Sequence, residues 1–138
     1  MRRDIPLSEL ADCLAEPRVA VLATYRQDGG VLLSPVWHQF RDGGFDVVSA
    51  PDDIKVRHLR RDPRASILVY DNEPPYRGVE ICTTVQLSEI DRADVVLEMS
   101  IRYLGREAGE AYAADSADSV LIRLEPGKVR TWDFAGEI

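Results

Sequence analysis

The residues best suited to chemistry form one run: Lys55-Val56-Arg57-His58-Leu59-Arg60-Arg61-Asp62-Pro63-Arg64. It is the densest basic stretch in a chain of 138 residues whose formal net charge is -7. Clustered cations in an acidic protein suit an anion, and phosphate in particular. Asp52 or Asp53 can cap a helix running through Arg61, because a carboxylate at that place accepts orphan amide hydrogens. Lys55 then stands near the helix start, where backbone amides and the helix dipole already favour an anion. Ser49, at the end of the preceding strand, offers a hydroxyl donor. Serine at a strand end, a loop, and lysine at a helix start make a phosphate cradle. The same residues also fit a solvated basic helix face. On such a helix Val56, Leu59 and His58 face the core. Neither GxGxxG nor GxxxxGK[ST] occurs, so the run by itself names no cofactor.

Other chemistry is sparse. Cys13 and Cys82 lie far apart with no CxxC and no Cys/His cluster at metal spacing, which reads as two buried, reduced thiols. His38 has no neighbouring cysteine or carboxylate motif that would make it a triad member or a ligand. Net acidity argues against nucleic-acid binding. No apolar run reaches the length of a membrane helix, and the start of the chain lacks the apolar core of a signal peptide. The expected location is the cytoplasm.

The elements that must position Ser49 and Lys55 read as follows. Pro6 to Leu14 has leucines at helical spacing and is stopped at Glu16-Pro17. Arg18 to Tyr25 is a buried strand, Gln27-Asp28-Gly29-Gly30 a hairpin turn, and Val31 to Phe40 the returning strand. Arg41-Asp42-Gly43-Gly44 turns into a third strand, Phe45 to Ala50, giving a three-stranded meander. After the basic helix come strands over Ala65 to Tyr70 and Arg77 to Ile90, the latter with Val79, Ile81, Thr83, Val85 and Leu87 alternating. Asp91 to Tyr103 reads as a helix capped by Asp91, with Val95, Leu97, Met99 and Ile101 on its apolar side. Residues 105 to 117 read as helix and loop. Ser119 to Glu125 and Lys128 to Phe134 read as a closing hairpin over Pro126-Gly127. The whole is one mainly β (α+β) domain, residues 1–138, whose six or seven strands suggest a barrel.

The runs Val19-Ala20-Val21-Leu22-Ala23-Thr24, Asp28-Gly29, Ser34-Pro35-Val36-Trp37 and Lys55 to Ser66, with Tyr76-Arg77-Gly78 and Arg130-Thr131-Trp132-Asp133, carry a resemblance. In this order they resemble the pyridoxamine 5'-phosphate oxidase-like, FMN-binding split-barrel superfamily. The likeness is greatest to its actinobacterial branch of coenzyme F420-dependent enzymes. The resemblance implies a six-stranded antiparallel split β-barrel with flanking short helices, and a homodimer with cofactor sites at the interface. It implies an oxidoreductase passing a hydride between reduced F420 and a small unsaturated acceptor, with FMN as the alternative cofactor. A non-catalytic carrier or regulatory protein, or a haem binder with a histidine facing an open cavity, are further readings on this fold. By the same resemblance, Ser49 and Lys55 hold the cofactor phosphate with Arg57 or Arg61 nearby. Ser34, Pro35, Val36 and Trp37 lie along the ring, and Tyr76 and Arg77 reach the site. Thr83 and Val85 stand where the family commonly has glycine and alanine, and are expected to narrow the space beside the ring. Pro35 removes a backbone N–H from the ring strand.

Overall fold

The computed structural model describes residues 1–88, 93–116 and 118–138. A two-residue strand, β1 (Arg2–Arg3), precedes a 3-10 turn at Leu7–Leu10 and a short helix, α1 (Ala11–Ala15). Then follow β2 (Ala20–Tyr25) and β3 (Val31–Val36), paired antiparallel. Their turn needs Gly29, whose φ of 87° disfavours a side chain. β4 (Gln39–Arg41) and β5 (Gly44–Ser49) form a second hairpin. Helix α2 (Ile54–Arg61) leads to β6 (Arg64–Tyr70) and the long β7 (Gly78–Ser88). Two helices, α3 (Ala93–Leu104) and α4 (Arg106–Asp115), separate these from β8 (Val120–Leu124) and β9 (Lys128–Asp133).

Hydrogen-bonded neighbours run β3-β2-β6-β7-β8-β5-β4, antiparallel throughout. The two end strands of this strip, β3 and β4, are consecutive in the chain, joined through Trp37-His38. The strip curls on itself and is closed by that covalent link, which is the split of a split barrel. The core inside it is aliphatic with one large aromatic: Leu22, Phe45, Ile67, Ile81, Ile122 and Leu124 are essentially without solvent contact.

Three expectations are corrected here. The meander does not form, because β2-β3 and β4-β5 sit at opposite ends of the strip. The single strand expected over Val31 to Phe40 breaks at Trp37-His38, where the chain passes from one to the other. The closing hairpin over Pro126-Gly127 does not form either. β8 and β9 run in the same direction, both antiparallel to β7, with Val85 opposite Leu124 and Cys82 opposite Lys128. The Pro-Gly pair makes an offset in one bent strand. A Cβ at Gly127 would lie 2.3 Å from the Cys82 carbonyl oxygen, so the close approach requires glycine.

The helices are fixed by shape and by polar ties. A Cβ at Gly109 of α4 would lie 2.6 Å from Ile101 backbone atoms of α3, so glycine lets the two helices touch. Val95, Val96, Met99 and Ser100 are the buried face of α3, whereas Leu97 is exposed, contrary to expectation. The expected Asp91 cap and the end of the strand at Ile90 lie outside the described residues. Cys13 is buried but Cys82 is exposed on the outer sheet face, correcting the reading of two buried thiols; both are free.

Candidate functional site

Helix α2 begins as the sequence suggests. Asp53 is its N-cap and accepts from the Lys55 amide at 3.5 Å, while Val56, His58 and Leu59 turn inward. The Lys55 side chain is only 12% exposed and reaches back to the Asp53 carboxylate, Nζ to Oδ2, at 2.9 Å. That ammonium holds the Asp53 carboxyl below its usual range, against the opposing effect of burial. Lys55 also lines a cavity of about 240 Å³ at the barrel split. Pro35, Val36 and Trp37 form one wall of this cavity, Met99 and Ser100 of α3 another, and Tyr112 of α4 the rim.

A second cavity, about 450 Å³, adjoins the first across Val48, Val96 and Tyr112, which line both. Ser49 lines it, nearly buried, its hydroxyl donating to the Ala50 carbonyl at 3.2 Å. Asp115 and Asp118 line its far side. Ligand pockets usually measure ~300–1,000 Å³, a range the adjoining pair reaches. Apolar walls with one enclosed cation suit a flat ring bearing a phosphate. Lys55 would hold the phosphate, with Ser49 offering a hydroxyl, and Pro35 to Trp37 would bound the ring.

Trp37 is held from the helical side. Its ring stacks on Tyr103 at 4.9 Å between centroids, 6° from parallel, and Tyr112 leans on it at 5.5 Å. Tyr103 is itself fastened to the split: its hydroxyl donates to the Arg18 carbonyl at 2.6 Å and accepts from the His38 amide at 2.9 Å. Arg102 donates to the carbonyls of His38 at 3.0 Å and Ala15 at 2.7 Å. The His38 ring is fully enclosed against Phe45 and Tyr103, and neither of its nitrogens has a partner. Burial, seconded by the Arg102 charge, lowers its pKa to about 4. His38 lines none of the cavities described and faces no open space where a haem would sit.

The structure thus gathers Pro35, Val36, Trp37, Ser49 and Lys55 into two adjoining cavities. The remaining expected residues lie elsewhere in the chain. Ser34 stands in register with Leu22 on the inner side of β3. Arg57 and Arg61 face a separate cleft. At 100° per residue, Arg57 projects about 160° around the helix from Lys55. Tyr76 is exposed, with a positive φ of 54°. Arg77 pairs with Asp71 and Asp12, each at 2.9 Å. Thr83 bonds the Glu125 carbonyl at 2.7 Å and Val85 is buried; neither lines the cavities. The sequence reading missed Val48, Val96, Met99, Ser100 and Tyr112. The apolar character of α3 was visible, but which edge of it would cover the split was not.

The sequence profile of the pyridoxamine 5'-phosphate oxidase family matches residues 7–133, and the chain belongs to that family. Solved structures agree on the fold. A conserved hypothetical protein from Mycobacterium tuberculosis is 26% identical with a TM-score of 0.82, over 95% of this chain and 86% of that one. An F420 reductase is 24% identical with a TM-score of 0.71, over 86% and 93%. An FAD-binding protein from Mesorhizobium loti is 19% identical with a TM-score of 0.69, over 94% and 93%. No curated protein matches the sequence. Among the described residues no helix is long and apolar enough to cross a membrane, and no group of side chains could hold a metal ion.

Proposed function

We propose that this protein is an oxidoreductase that binds a phosphate-bearing tricyclic cofactor in the Lys55 cavity, with coenzyme F420 preferred and FMN as the alternative. One observation carries the reading: Lys55, whose side chain is nearly buried, lines a largely apolar cavity together with the Pro35–Trp37 strand end. Membership of the family and the fold shared with an F420 reductase and an FAD-binding protein support it. When bound, the cofactor supplies the hydride for a small unsaturated organic acceptor, and a proton from solvent completes the reduction. The protein's own share is to neutralise the phosphate with Lys55, to lay the ring against Pro35, Val36 and Trp37, and to exclude water with α3 and α4.

We also propose a homodimer. Val31, Leu33 and Pro35 stand exposed on the outer face of the edge strand β3, beside Val21 and Ala23 of β2. Pro35 belongs both to this face and to the cavity. The face therefore adjoins the site, and Tyr76 and Arg77, which line neither cavity of their own chain, are assigned to the site of the second copy.

Parallel titration with FMN and F420 tests the reading. Lys55→Ala should weaken binding by about 1–3 kcal/mol, the scale of a charge-assisted phosphate contact. Unchanged affinity for both cofactors removes Lys55 from the phosphate. Tight binding without oxidation of the reduced cofactor by a panel of enones and quinones would instead mark a carrier.

A further inference from the structure

We propose that the cleft between the β2–β3 turn and helix α2 is a second oxyanion site, separate from Lys55, in which Arg26, Arg57, Arg61 and His58 bind a small phosphate or carboxylate. The cleft measures about 480 Å³ and shares no lining residue with the two cavities at the split. Three arginines, Arg26, Arg57 and Arg61, line it, in a protein whose net charge is -7. Their mutual repulsion is relieved by an anion, and the planar fork of arginine suits an oxyanion's paired oxygens.

His58 is the second observation. It is only 7% exposed, yet it is among the residues that line the cleft. Its Nδ1 is engaged with the Thr24 hydroxyl at 3.0 Å, which leaves Nε2 as the ring's other polar position. Burial lowers its pKa, and the charges of Arg61, Arg26 and Arg57 act in the same direction. The remaining ionisable group of the cleft, Asp28, accepts from the Gly30 amide at 2.8 Å and so serves its own turn. Arg61 is anchored by one nitrogen to the Tyr25 carbonyl at 2.5 Å.

A bound oxyanion would reverse the field on His58. Its protonated form is then favoured, so its pKa rises, and by reciprocity the anion binds better as pH falls through that pKa. The anion could come from a separate metabolite or from the far end of a long cofactor; the shared chemistry is the oxyanion.

The chain has two histidines, so NMR of their ring protons resolves the test. Inorganic pyrophosphate is titrated into the full chain across a pH series, with and without saturating FMN, and in Lys55→Ala. The expected result is a rise of about one unit in the His58 pKa, no change at the enclosed His38, and no effect of FMN or of Lys55→Ala. Arg57→Gln, and separately Arg26→Gln on the turn, should weaken pyrophosphate at least about tenfold, with melting curves confirming that each variant is folded. No shift of His58 at millimolar pyrophosphate overturns the proposal. Displacement of pyrophosphate by FMN overturns its independence from the cofactor site and assigns the cleft to the cofactor itself. Because pyrophosphate needs no flavin, failure of the flavin reading leaves this test intact.

Discussion

Asp53 occupies the cation that the phosphate is proposed to use, and removing its charge should tighten cofactor binding. The substitution is Asp53→Asn. Asparagine caps a helix about as well as aspartate, so α2 should keep its start. The Lys55 Nζ lies 2.9 Å from Asp53 Oδ2. A phosphate oxygen on the same nitrogen, at about 2.8 Å, cannot be more than about 6 Å from the carboxylate. Two unit charges at that distance repel by about 3 kcal/mol at an effective dielectric of 20 and by about 0.7 kcal/mol in bulk water. Asp53 is 37% exposed, which pulls the figure toward the lower end. We expect about 1 kcal/mol, or about fivefold tighter binding of FMN or F420 by fluorescence titration. The gain should shrink as salt is added. Weaker binding would mean that the carboxylate serves by aiming Lys55 rather than by competing for it. No change would place the phosphate away from Lys55.

Acid should destabilise the fold through His38. Burial lowers its pKa from the ordinary 6.5 to about 4, so the unfolded chain takes up the proton first. Stability is then lost as pH drops from about 6.5 toward 4, by at most about 3 kcal/mol. His38→Phe should flatten that part of a denaturation–pH profile; an equal slope in both proteins would refute the assignment. On the outer sheet, Leu33→Glu puts a charge on a residue that is 64% exposed. Light scattering at micromolar concentration should show a dimer for the parent and a monomer for the variant. A variant that remains dimeric excludes this face from the interface.

The local elements were legible because their signals are local. The Gly29 turn, the Asp53 cap with Val56 and Leu59 inward, and the alternation of β7 all appear in the structure as read. What failed was pairing. Pro126-Gly127 carries a strong turn signal, yet an eleven-residue β7 offers one edge long enough for β8 and β9 in succession. Nothing in the period of β3 and β4 reveals that the strip ends between them, since alternation is the same on either side of Trp37-His38. Helix α4 gave a faint period because Gly109 and its alanines pack by close backbone approach instead of by large side chains. For the same reason Tyr112, one of three residues shared by both cavities, gave no signal. The placement of Lys55 and Ser49 near one another was legible because a strand end and a helix cap fix both positions locally. Arg57 and Arg61 were grouped with Lys55 through the family resemblance, and in this chain the helix turns Arg57 and Arg61 toward a different cleft.

The barrel resembles a hoop fastened at one point. Its ends meet through two residues, Trp37 and His38, and the fastening is held by Tyr103 and Arg102 of α3. Among the described residues no ladder of strand hydrogen bonds joins the two ends there, so the shape of the opening beside Pro35 is set by side chains of α3. The spine common to both halves, β7, is by contrast laddered along both of its edges.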